Sequence, residues 1–144
     1  MSLVLDASSA LSWIFERPDP DEAELAERLL DEITVYPIRV PSLWHLEIAN
    51  ALLIAERRRV ASEAQVIDFL ARLRPLPIII HDAEVADRQE AIMALGRRHK
   101  LTAYDANYLD LALRTNSILA TFDAKLAKAM RQAGGKVYGD PTPD

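Results

Sequence analysis

Four short apolar runs punctuate the chain at spacings that leave room for helices between them: Leu3-Val4-Leu5, Ile38-Arg39-Val40, Ile78-Ile79-Ile80 and Ile118-Leu119-Ala120. Runs of this length, bounded by turn and capping residues, read as strands. The intervening segments carry helix signals. A helix follows the first run from about Ala7 to Phe15. Asp19 caps the next, with Pro20 at its first position, Asp21 and Glu22 in its first turn, and Leu25, Leu29, Leu30 and Ile33 marking one face. Pro41 and Ser42 open a long helix to about Arg59. Ser62-Glu63-Ala64-Gln65 is a capping box whose helix ends before Pro75. Asp82 caps a helix reaching His99, and Thr102 to Arg114 forms another that stops at Asn116. Asp123 begins a helix that Gly134-Gly135 terminates. Lys136-Val137-Tyr138 reads as a fifth, edge strand. Strands alternating with helices predict one α/β domain, a parallel sheet of about five strands with helices on both faces. The domain covers residues 1–139, and the Pro- and Asp-rich tail, 140–144, is expected to fray.

Composition removes several chemistries. The chain has no cysteine, so disulfides, thiol nucleophiles and cysteine-ligated metals are excluded, which fits a reducing, cytoplasmic setting. The start, MSLVLDASS, has no basic stretch, and no apolar run approaches ~18 residues, so neither a signal peptide nor a membrane span is expected. A net charge of −5 argues against a sequence-independent nucleic-acid coat. It leaves a nuclease open, because clustered carboxylates lower the formal count. The basic runs Arg57-Arg58-Arg59 and Arg97-Arg98-His99-Lys100 read first as cations at helix C-termini.

Ligands of an open parallel sheet bind beyond the carboxyl ends of its strands. Asp6 directly follows the first strand, and Asp123 follows the fourth after Thr121-Phe122. Asp105 lies in the first turn of its helix and Glu47 in the second turn of the helix after the second strand. Singly, Asp6 and Asp123 are ordinary N-caps and Asp105 an ordinary partner of Thr102. Glu47 is different, because its helix from Leu43 to Ala55 is apolar nearly all round and so reads as buried. A carboxylate there requires a partner, and Asn50, one turn on, is placed to donate to it. Four acids at one edge repel one another unless cations intervene. Hard oxygen donors of this kind suit Mg²⁺ or Mn²⁺, which activate water and orient phosphodiesters.

Competing sites lack their parts. Asp6-Ala7-Ser8 replaces the D-x-D of haloacid-type phosphatases, and the acidic pair of a receiver domain is missing. His45-Leu46-Glu47 lacks the cysteines of a zinc deaminase. His45, His81 and His99 are too scattered for an acid–base pair. There is no G-x-S-x-G, P-loop or G-x-G-x-x-G.

From Leu3 to about Tyr138 the sequence resembles the PIN-domain family, specifically the VapC-type toxins of toxin–antitoxin pairs. The residues that carry the resemblance are Val4-Leu5-Asp6-Ala7-Ser8, Pro41-Ser42 leading to Glu47-Ile48-Ala49-Asn50, Tyr104-Asp105-Ala106 with Tyr108, and Ala120-Thr121-Phe122-Asp123. The ordered set, rather than any one motif, is the signal. The resemblance implies a Mg²⁺- or Mn²⁺-dependent endoribonuclease that cuts RNA by water attack at phosphorus. Asp6, Glu47 and Asp105 would form its metal-binding core, with Asp123 a weaker ligand, Ser8 and Thr121 supporting hydroxyls, and Asn50 positioning Glu47. It also implies a homodimer silenced by a cognate antitoxin, for which Trp13, Ile14 and Phe15 offer an apolar patch. An acidic protein acting on a polyanion needs nearby cations. Arg97, Arg98, Lys100, Lys125 and Lys128 are the expected RNA contacts. The alternative is a non-catalytic module of the same fold that acts through a protein partner.

Overall fold

The wholly apolar first run becomes strand β1 (Leu3–Leu5), every residue of it buried, and it takes an inner position in the sheet. In the computed structural model, which describes residues 1–81 and 85–141, β1 pairs in parallel with β2 (Ile38–Val40) and β4 (Ile118–Ala120). The strand β3 (Ile78–Ile80) adds to β2, giving the order β3-β2-β1-β4. Leu3 is level with both Ile38 and Ile118, so the strand ends lie flush. The expected fifth strand is represented by a single parallel bridge, Leu119 to Val137.

The helices are α1 (Ala7–Leu11), α2 (Pro20–Glu32), α3 (Leu43–Arg57), α4 (Glu63–Leu73), α5 (Val85–His99), α6 (Ala103–Arg114) and α7 (Ala124–Gln132). Their starts obey local chemistry. Asp19 accepts from the Asp21 N–H with Pro20 in the first turn, and Ser62 and Gln65 form a reciprocal capping box. Their ends do likewise, since Asn116 and Gly134 take left-handed backbone after α6 and α7. The expected cap at Asp82 lies outside the described residues. Steps from β1 to β2 to β3 run one way and the return to β4 crosses back. Right-handed crossovers therefore put α2, α3 and α4 on one face and α5 and α6 on the other. α6 packs on β1 and β4, and α1 packs on α3.

Two expectations need correction. The first helix ends at Leu11 rather than near Phe15, and Trp13, Ile14 and Phe15 form turns half-buried against the core. α3 is not buried all round: Trp44, Ile48, Leu52 and Ala55 face the core, while Leu46 is 74% exposed and Leu53 is exposed too. The more enclosed helix is α6, buried throughout from Ala106 to Ala112. Its Asp110 is inside the protein and is satisfied by Arg88 and Arg114, both within hydrogen-bonding distance. Of the tail, Asp140 is held by two hydrogen bonds from Arg131. Among the described residues no helix is long and apolar enough to cross a membrane.

Candidate active site

Asp6 sits where β1 turns into α1 and is only 5% exposed. As the cap of α1, its Oδ1 accepts from the Ser9 N–H at 3.0 Å and from the Ser8 hydroxyl at 2.7 Å. Its Oδ2 accepts from the Thr121 hydroxyl. The two hydroxyls also accept from the backbone of the loop between β4 and α7, which carries Thr121 itself. Ser8 Oγ accepts the Phe122 N–H and Thr121 Oγ1 accepts the Asp123 N–H, each at 3.0 Å. Ser8 and Thr121 thus support Asp6 and lace the two loops together. Burial pushes the Asp6 carboxyl above its ordinary range, although these hydrogen bonds oppose the shift.

Glu47, half-buried on α3, accepts from the Tyr108 hydroxyl at 2.8 Å. The expected Asn50 contact is not made: Asn50 is exposed and no hydrogen bond joins it to Glu47. At the start of α6, Thr102 Oγ1 accepts the Asp105 N–H at 3.1 Å, and the same hydroxyl acts on the Asp105 carboxylate. Asp123, exposed at the start of α7, accepts from the Leu126 N–H at 2.9 Å.

Electrostatics ties the four together. Desolvation raises Glu47, and the charges of Asp105 and Asp6 raise it further. Desolvation raises Asp105 as well, with Asp123 adding and Lys125 opposing. Tyr108, 1% exposed, is pushed far up by burial and by the carboxylates of Glu47, Asp6 and Asp105 around it. So Glu47 feels Asp105 and Asp6, Asp105 feels Asp123, and the set shares one end of the sheet. Among the described residues no three acidic or imidazole side chains are close enough to grip one ion directly. The hard oxygen donors are of the kind that suits Mg²⁺, which is usually held by one or two carboxylates and several waters rather than by a closed protein cage.

The expected cations divide. Lys125 acts on Asp105. Arg97 and Arg98 are exposed in the last turn of α5, where they complement the helix dipole. Arg98 lines a groove with Arg88, Asp110 and Arg114 along α5 and α6. Lys100 takes a left-handed backbone just after α5, and Lys128 is exposed on α7. Two neighbours were given no role in the sequence reading, although Tyr108 was among the residues that carry the resemblance. Tyr108 is one turn beyond Asp105, a spacing that signals a shared helix face. Arg17, whose guanidinium lies 5.0 Å over the Phe122 ring, comes from a Pro-broken loop that carries no such signal.

The model of the PIN domain matches residues 3–131. Ribonuclease VapC3 of Pyrobaculum aerophilum is 27% identical over 128 residues, covering 89% of this chain and 94% of that protein. Among solved structures, PAE2754 from Pyrobaculum aerophilum is similar with a TM-score of 0.65 at 18% identity, over 90% of this chain and 79% of that one. FitAcB from Neisseria gonorrhoeae gives 0.64 at 18% identity, over 95% and 96%. The two structures bear on the fold alone. With the family model spanning both flanks of the carboxylate site, this chain belongs to the PIN-domain family.

Proposed function

We propose that the protein is a metal-dependent endoribonuclease, the toxin of a toxin–antitoxin pair, with Asp6, Glu47, Asp105 and Asp123 as its catalytic and metal-binding carboxylates. The observation that carries the reading is the placement of these acids at one end of the sheet, Asp6 and Asp123 capping the helices after β1 and β4, with Thr121 bonded to Asp6 and Tyr108 of α6 bonded to Glu47 of α3. The likeness to Ribonuclease VapC3 gives it a substrate class, RNA.

The hydrogen bonds define what each group contributes. Asp6 Oδ1 is saturated by Ser8 and Ser9, so Oδ2, with one lone pair given to Thr121, keeps one for a cation. Glu47 has Oε1 committed to Tyr108 and Oε2 open. Asp105 and Asp123, on the more accessible side, hold and orient water. When bound, Mg²⁺ or Mn²⁺ supplies a water of lowered pKa and positive charge opposite the phosphodiester. The low-dielectric floor made by Asp6 and Tyr108 strengthens each of these interactions. Lys125, beside Asp105, offsets repulsion of the incoming RNA.

Exposed Leu46 and Leu53 on α3, Ile67 and Leu70 on α4, and Ile79 and Ile80 on β3 support a homodimer. Half-buried Trp13 and Ile14, in a cleft against α2, support an antitoxin contact. Cleavage of structured RNAs with Mg²⁺, against chelator and Asp6→Asn controls, tests the activity. A non-catalytic module would show neither cleavage nor Mn²⁺ binding by calorimetry.

A further inference from the structure

Resting on the nuclease reading above, we propose that Arg17, stacked on Phe122, is the cation that receives an RNA phosphate beside the candidate carboxylates. The acidic site needs positive charge at its rim, and Lys125 alone of the cations expected from sequence acts on one of the four acids. Arg98 lines the α5–α6 groove instead. Arg17 has the placement they lack. Its guanidinium covers the ring of Phe122, the residue between Thr121 and Asp123. The Phe122 N–H is bound to Ser8 Oγ, which in turn donates to Asp6 Oδ1.

The guanidinium is also prepared for a second anion. Nε and Nη2 both donate to the same Glu22 oxygen, at 3.0 and 2.9 Å. Nη1 makes no hydrogen bond among the described residues, and the side chain is 33% exposed. A planar fork fixed on an aromatic face loses little freedom when it meets a phosphate. Its pair with Glu22 is partly solvated and therefore weak enough to rearrange. The plainer reading is that Arg17 merely ties the loop after α1 to α2 through Glu22. The two readings differ in sign. As a loop tie, Arg17 and Glu22 act together, and losing either does the same harm. As a phosphate contact, Arg17 is restrained by Glu22, and losing Glu22 frees it.

The test uses a short fluorescein-labelled single-stranded RNA of mixed sequence, followed by anisotropy over a salt series in EDTA. Arg17→Ala is expected to weaken binding several-fold and to reduce the salt slope by about 0.7, one single-strand phosphate contact. Glu22→Gln is expected to tighten binding. In cleavage with Mn²⁺, Arg17→Ala raises KM more than it lowers kcat, and calorimetric Mn²⁺ affinity stays unchanged in both variants. Parallel weakening in the two variants, or an unchanged salt slope in Arg17→Ala, overturns the assignment. Should Arg17→Ala fail to fold, Glu22→Gln decides alone: unchanged or looser RNA binding rejects the proposal. A wild type that cleaves RNA while these results fail removes only Arg17. One that neither binds nor cleaves RNA removes the nuclease reading with it.

Discussion

Asp6 is a helix cap and a candidate cation ligand at once, and its oxygens show how both roles fit. Capping and the Ser8 hydroxyl occupy Oδ1, so Oδ2 is the atom with capacity to spare. Asp6→Asn keeps the shape and removes the charge. It is expected to abolish cleavage while leaving the metal-free fold at least as stable, because burial already disfavours that charge. The rise in Tm on adding Mg²⁺, which follows RT ln(1 + [L]/Kd), would shrink. Wild-type cleavage by this variant refutes the mechanism. Tyr108→Phe keeps the ring packed and deletes only the donor to Glu47. A stability loss of about 1 kcal/mol is expected, with weaker Mn²⁺ binding by calorimetry. Unchanged Mn²⁺ affinity would mean that Tyr108 serves packing alone. At this scale Asp6, Asp105 and Asp123 stood out in the sequence because each follows a strand or opens a helix, whereas Glu47 stood out only as a carboxylate in an apolar helix. Sequence reasoning chose the wrong partner for Glu47, since Asn50 is near in sequence whereas Tyr108 arrives from another helix, 61 residues away.

Elements were readable wherever local hydrogen bonds decide them. The Ser62–Gln65 box, the Asp19–Pro20 start and the left-handed stop at Asn116 all follow side-chain chemistry within a few residues. Tertiary packing settled the rest. Trp13 to Phe15 continues an apolar pattern, yet the chain turns there and the Trp13 indole N–H donates to Ala26 O on α2. α3 is apolar on sides that solvent reaches, so hydrophobicity alone overstated its burial. One polar contact joins α5 to α6, Arg88 on the buried Asp110 carboxylate, which Arg114 of α6 itself also binds. Asp110→Ala is expected to lower unfolding free energy by about 1.5–3 kcal/mol, the usual worth of hydrogen bonds to charged groups. Denaturant titration measures it, and a loss below the error of that method would show that the arginines are satisfied by solvent.

For the whole molecule, the acidic site makes stability depend on pH in an unusual direction. Asp6, Glu47 and Asp105 all titrate above their ordinary values when folded. The folded state therefore holds protons more tightly than the unfolded chain does. Their contribution is fully present below the ordinary carboxylate pKa and is lost as pH rises through the raised values. Asp140, lowered by Arg131, works the other way from a partly exposed position. Mild acidification from neutrality is expected to raise the Tm of metal-free protein, and saturating Mg²⁺ to flatten that dependence. A metal-free Tm that falls steadily over the same interval contradicts the raised titration that burial gives these acids. The lacing of Ser8 and Thr121 has a consequence in time. These hydroxyls join loops more than a hundred residues apart, among the most distant contacts the chain makes. Contacts of that span close late, because loop entropy must be overcome before they form. During synthesis, a nascent chain ending before β4 holds Asp6 and Glu47 but neither Thr121 nor Asp123. A ribosome can therefore make most of this protein before the candidate site is complete.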